Sequence, residues 1–156
     1  MTALEAALTT LRAKWGQASI QRGVKPQYHA YLSTGTPELD DLLGGGWTLG
    51  EAHSLIGYGS SGATTLAYRT LAAAQAEHLW PLWVDLPHTF DPLVAATLDV
   101  DVEQLVLVRP ASIEETLMLL RDVLPLGGPV IVNVGVGELA TQPEAARRLR
   151  RSIAAP

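Results

Sequence analysis

Residues 57–66, GYGSSGATTL, decide how the rest of this chain is read. Their frame is that of a phosphate-binding loop, G-x-x-x-x-G-K-[ST], with one change: Ala63 stands where the pattern has lysine. Such a loop is the bend between a strand and a helix, so it assigns both flanks. EAHSLIGYG (51–59) alternates into a short strand that runs into the glycines. TTLAYRTLAAAQAEH (64–78) is rich in Ala and Leu, free of breakers, and reads as a helix. The loop either still holds a ligand or survives as a joint.

Working outward, STGTPELDDLLGGGW (33–47) gives Thr36 or Ser33 as cap of a short helix, Pro37 in its first turn and the glycines 44–46 as its end. PLWVDL (81–86) is a strand, HTFDPLVAATL (88–98) a helical segment and QLVLVRP (104–110) a buried strand. SIEETLMLLRDVL (112–124) is an amphipathic helix whose Ser112 and Glu115 form a capping box. GGPVIVNVGV (127–136) is the most apolar strand, and QPEAARRLRRSIAAP (142–156) a basic helix. Strands alternating with helices of this length predict a mostly parallel sheet of about four strands with helices on both faces, an α/β/α sandwich. At the other end, Leu4, Ala7, Leu8, Leu11 and Trp15 share one face of a helix over 3–15, and the connector 16–30 contains Gly and Pro. This divides the chain into an N-terminal helix and connector, 1–30, and a core, 31–156.

Composition narrows the function. The 156 residues are 47% hydrophobic and 17% charged, which is globular. A formal net charge of −5 argues against indiscriminate attachment to DNA or acidic membranes. No cysteine is present, so disulfides, thiolate nucleophiles and zinc-thiolate sites are excluded. No apolar run reaches the length of a membrane span and the first residues are unlike a secretion signal, giving an expectation of a cytoplasmic protein without membrane contact. His29, His53, His78 and His88 lack metal-ligand spacing, so no metal is expected. The dense positive cluster Arg147, Arg148, Arg150 and Arg151 is read either as a contact for DNA phosphates or an acidic partner, or as a solvated helix face.

Three long segments in order, 3–23, 32–77 and 82–124, resemble the RecA recombinase family. The likeness runs through the N-terminal helix, the STG turn, the glycine loop, the pair Asp91-Pro92 and the phrase DVDVEQLVLVRPASIEETL (99–117), and covers nearly the whole chain. It implies a RecA-like P-loop core truncated at its C-terminus, with an N-terminal helical arm. In that family the glycine loop carries lysine, the position of Pro87 a catalytic glutamate that activates water, and the position of Asn133 an aspartate that organises Mg²⁺. All three have changed here. Gly57, Gly59, Ser60, Ser61, Gly62, Ala63, Thr64 and Thr65 therefore form a vestigial phosphate loop, and Pro87 and Asn133 mark degenerate catalytic positions. Backbone donors of such a loop still favour phosphate, but the missing lysine removes a contact worth about 1.5–3 kcal/mol. Hydrolysis needs positioning, metal and charge neutralisation together.

The resemblance thus implies a degenerate ATPase, not an enzyme. It suggests an accessory protein of the DNA-damage response (recombination, translesion mutagenesis or SOS control) with the ImuA and SulA types as nearest functional class. Its partners would be RecA, a translesion polymerase complex or a second copy of the chain, met through Leu4, Leu8, Leu11 and Trp15. No cofactor is expected beyond weak residual binding of nucleotide or phosphate. The alternatives are a weakly nucleotide- or DNA-binding switch, and an ATPase completed in trans by a partner.

Overall fold

The computed structural model describes residues 2–16 and 29–135, together with Glu144 and Arg147. The first helix, α1, spans Ala3–Trp15. Thr2 accepts a hydrogen bond from the Glu5 amide (3.4 Å), and the Glu5 carboxylate accepts one from the Thr2 amide (2.9 Å), a reciprocal cap at its first turn. Gly16 ends it at φ 95°. None of its residues is buried, and Leu4, Leu11 and Trp15 are exposed.

The core continues as β1 (Tyr31–Leu32), α2 (Pro37–Leu43), β2 (Trp47–Thr48), α3 (Ala63–Ala76), β3 (Leu82–Asp85), α4 (Pro92–Ala96), β4 (Val106–Val108), α5 (Ile113–Val123), a 3-10 turn (Leu124–Leu126) and β5 (Val130–Asn133). The strands β1 and β2 form a small antiparallel ribbon. The other three make a parallel sheet in the order β4-β3-β5, with Val84 opposite Val108 and Val132, and Asp85 opposite Asn133. Parallel neighbours need crossovers, and α4 and α5 supply them on the way to β4 and β5.

The central strand β3 is buried along its whole length, as a strand covered on both faces must be. Side chains alternate across it. Trp83 meets Tyr68 and Leu71 of α3, Phe90, and Ala95 of α4 on one face. Leu86, continuing β3 with the opposite parity, packs with Ile113 and Leu117 of α5 and with Val134. Helix, sheet and helix are thus stacked as the alternation of elements predicts, and the chain is α/β.

Four details differ from the sequence expectation. Residues 52–58 form no strand, so the parallel sheet has three strands among the described residues instead of about four. Leu55, Ile56 and Tyr58 are exposed there. Apolar alternation makes a segment able to pair, but without a neighbouring ladder its backbone groups stay with solvent. With β3 in the middle, β4 and β5 are the two edge strands of this sheet among the described residues. In α2, Pro37 and Gly44 (φ 75°) stand at the two ends as read, yet neither Thr36 nor Ser33 makes a side-chain cap. Ser33 binds the Asp40 carboxylate instead (2.6 Å). The α4 helix is shorter than the segment 88–98, because Asp91 caps it only from Pro92 onward. In α5, Ser112 accepts from the Glu115 amide (3.2 Å), but Glu115 reaches back to the amide of Ala111 (2.7 Å) and not to that of Ser112.

The junction between α3 and the STG turn fixes the core's entry. Thr70 on α3 donates to the carbonyl of Thr34 (3.1 Å) and accepts from the indole of Trp47 (3.0 Å). Gly35, at φ 76°, lies so close to α3 that a Cβ there would stand 2.5 Å from the Arg69 carbonyl oxygen. Only glycine fits.

Candidate functional site

The glycine loop joins segment 52–58 to α3. Gly59 (φ 56°) and Gly62 (φ 81°) adopt left-handed backbone that suits glycine, and Gly62 is the N-cap of α3 without a side-chain cap bond. Gly57 is close-packed under the loop: a Cβ on it would meet Ala63 at 2.7 Å, and Ser61 sits nearer still. Ser60, Ser61, Thr64 and Thr65 are exposed and Ala63 half-buried. The bend of a phosphate loop is therefore present, capped by a helix N-terminus, with a methyl group where a cationic side chain would project.

Could another cation reach it? Arg69 is two turns along α3, and its guanidinium donates to the Thr36 hydroxyl (3.4 Å), away from the loop. Lys14 lies over the Trp15 ring of its own helix, 5.5 Å from the centroid. Lys25 falls outside the described residues.

A second cluster forms at the carboxyl ends of β3 and β5, the end of a parallel sheet where ligands of such folds sit. Asp85 is wholly buried at its centre. Its carboxylate accepts from the backbone amides of Thr89 (3.0 Å) and Phe90 (2.9 Å), from Arg109 Nε (3.4 Å) and from Asn133 Nδ2 (3.3 Å). Burial alone would raise its pKa; the Phe90 and Thr89 amides, then Arg109 and Asn133, outweigh that and hold it below the ordinary carboxylate value. Asn133 Nδ2 also donates to the Thr89 hydroxyl (3.0 Å). Pro87 lies in the turn just after Asp85 and contributes neither carboxylate nor N–H.

The structure thus brings Pro87 and Asn133 together around Asp85. No hydrogen bond among the described residues joins the glycine loop to them. Asp91 is occupied as the cap of α4, accepting from the amides of Leu93 (2.9 Å) and Val94 (3.1 Å). His53 packs on Trp47, and His78 and His88 occupy positive-φ turn positions. Among the described residues no cluster of three or more His, Asp or Glu is placed to hold a metal ion. Arg147 pairs with Glu144 (3.1 Å) in solvent. Arg148, Arg150 and Arg151 lie outside the described residues.

Two members of the Asp85 cluster were not legible in advance, Arg109 and Thr89. The available signal was positional: LWVD and LVLVR each end an apolar strand with a charge of opposite sign. Parallel neighbours then bring the two charges to the same end of the sheet.

A family model described as RecA N-terminal domain matches residues 2–147. Among curated proteins, the one named Protein RecA from Chlorobaculum parvum is 35% identical over 155 residues, covering 96% of this chain and 45% of its own length. Protein RecA from Ectopseudomonas oleovorans is 36% identical over 146 residues (92% of this chain, 42% of its own). That from Brucella canis is 37% identical over 147 residues (92% and 40%). The chain spans less than half the length of the curated relatives it matches.

Proposed function

The chain belongs to the RecA family, and from that premise we propose that it is a catalytically inactive RecA-like accessory protein of the DNA-damage response, working through protein–protein contacts. The observation that carries the reading is the chemistry at Asn133. The Asp85 carboxylate is an acceptor only, so Asn133 must present its NH₂ to it. A group that donates to a carboxylate and a hydroxyl is engaged in structure and does not offer the anionic oxygen that organises Mg²⁺ well. Ala63 supplies no charge to a β- or γ-phosphate, and Pro87 cannot polarise a water. With binding charge, base and metal organiser all replaced, an ATP cycle has no chemical basis within the chain.

On this reading the protein presents a RecA-like surface to RecA or to a translesion polymerase complex, with no nucleotide step to time its release. The exposed face of α1 (Leu4, Leu11 and Trp15, with Leu8 half-buried) supports contact with a partner or a second copy. Removing residues 1–15 should abolish capture of RecA on an affinity column; undiminished capture would count against this face. Alanine at Arg147, Arg148, Arg150 and Arg151 tests DNA contact, which should be salt-sensitive if those arginines carry it.

A second reading is favoured by the preserved backbone of the loop: Gly59 and Gly62 keep their left-handed geometry before a helix N-terminus. The protein would then be a weak nucleotide- or DNA-binding switch. Calorimetric titration with Mg-ATP and a steady-state phosphate-release assay separate the cases. No heat and no turnover fits the inactive accessory protein, and micromolar binding without turnover fits the switch. Turnover above background overturns the first proposal in favour of an ATPase, self-sufficient or completed by a partner.

A further inference from the structure

Asn133 touches the end of β3 at one point and the turn after it at two, the Leu86 contact through its backbone carbonyl and the others through its side chain. Its carbonyl accepts from the Leu86 amide (3.2 Å), and its amide group donates to Asp85 and to the Thr89 hydroxyl. Asp85 in turn holds the amides of Thr89 and Phe90, and its own carbonyl accepts from His88 (3.3 Å). Beyond the turn, Phe90 is buried against Tyr68 and Trp83, with ring centroids 5.3 and 5.5 Å away, and the Asp91 amide donates to the Tyr68 hydroxyl (3.0 Å). Residues 86–90 are thus fastened to the sheet on one side and to the core on the other.

We infer that Asn133 is a tether that locks the β3–α4 turn in one conformation, independent of any ligand on the glycine loop. The inference rests on the inactive reading above and deepens it. The staple is a neutral amide, held to the sheet end and to the turn at once. The amide is chemically specific. A carboxylate at 133 would face the ionised Asp85 as a like charge, and an apolar side chain would leave Asp85 Oδ1 with the Thr89 amide as its one donor. The Asn133 amide donates to Asp85 and Thr89 at once.

Amide hydrogen exchange on the full chain tests the tether, with Mg-ATP as the ligand probe. In the unmodified protein the amides of Leu86, Thr89 and Phe90 should be protected, and millimolar Mg-ATP should leave their rates unchanged. Asn133→Ala should accelerate them about tenfold or more, while α3 and β4 keep their protection. Thr89→Val, a near-isosteric change at an exposed residue, removes only the outer anchor and should give a smaller acceleration at the same amides. It serves as the test if Asn133→Ala does not fold. Unprotected amides at 86, 89 and 90, rates unmoved by either variant, or rates altered by Mg-ATP in the unmodified protein would each overturn the tether. Mg-ATP that is hydrolysed above background without altering these rates sinks the inactive reading but leaves the tether standing.

Discussion

Asp85 shows how a single side chain sets the character of this molecule. It is buried and ionised, and two backbone amides, a guanidinium and a side-chain amide surround it. Replacing it by alanine leaves the buried Phe90 amide and the Thr89 amide each without its acceptor. The expected cost is about 3 kcal/mol, read as a lower urea midpoint at neutral pH. Its titration has a defined sign. The folded-state pKa lies below the ordinary carboxylate value, so the stabilisation is complete above the unfolded value, near 4, and disappears as pH falls through the folded one. Asp40 acts in the same direction: burial raises its pKa, but the Ser33 hydroxyl and the Thr34 amide lower it further than burial raises it. Urea denaturation should therefore show stability falling from about pH 4 downward, and Asp85→Ala should flatten that slope. An unchanged slope in the variant would show that Asp85 is not held ionised by its neighbours.

At the scale of elements, the helices were legible because their periodicity, caps and breakers are local. Ser112 does cap α5, and Ser112→Ala should cost about 1 kcal/mol in thermal or urea unfolding. Glu115 departs from the capping-box pattern because the Ala111 amide, one residue outside the cap, is within its reach. The strand read over residues 51–59 failed for a physical reason: alternation reports capacity to pair, whereas a strand exists only where a neighbour supplies the other half of each hydrogen bond. The three strands of the parallel sheet formed where each run found a partner (LWVD between VLV and VIVN), although only LWVD is buried throughout and Val106 and Leu107, expected in a buried strand, are exposed. The N-terminal helix behaves as a separate element, since it caps itself and buries none of its residues. Deleting residues 1–15 should accordingly leave the thermal midpoint of the remainder unchanged within error. A fall of several degrees would mean that α1 packs on its own core.

The whole molecule joins what the chain scatters. The loop residues 57–65, the turn at Pro87 and the strand end at Asn133 were each located from the resemblance. Which way Asn133 turns its amide, and that Arg109 and Thr89 complete the cluster, depend on strand order and register, which no local pattern encodes. On the proposed inactive reading, building an ATPase on this arrangement is a question of assembly. Ala63→Lys alone returns a charge-assisted phosphate contact of about 1.5–3 kcal/mol, so Mg-ATP affinity should rise about ten- to hundredfold with no phosphate release. Adding Pro87→Glu supplies a carboxylate in the turn, yet the metal position still carries a donor, so turnover should stay at background. Asn133→Asp then sets a second carboxylate beside Asp85 and removes one of its four donors, leaving the Thr89 and Phe90 amides and Arg109. The triple variant should be less stable in urea than the double one, and turnover should emerge only there, with Mg²⁺ recovering part of the lost stability by neutralising the new pair. Phosphate release by Ala63→Lys alone would show that the turn and the strand end had never lost their competence.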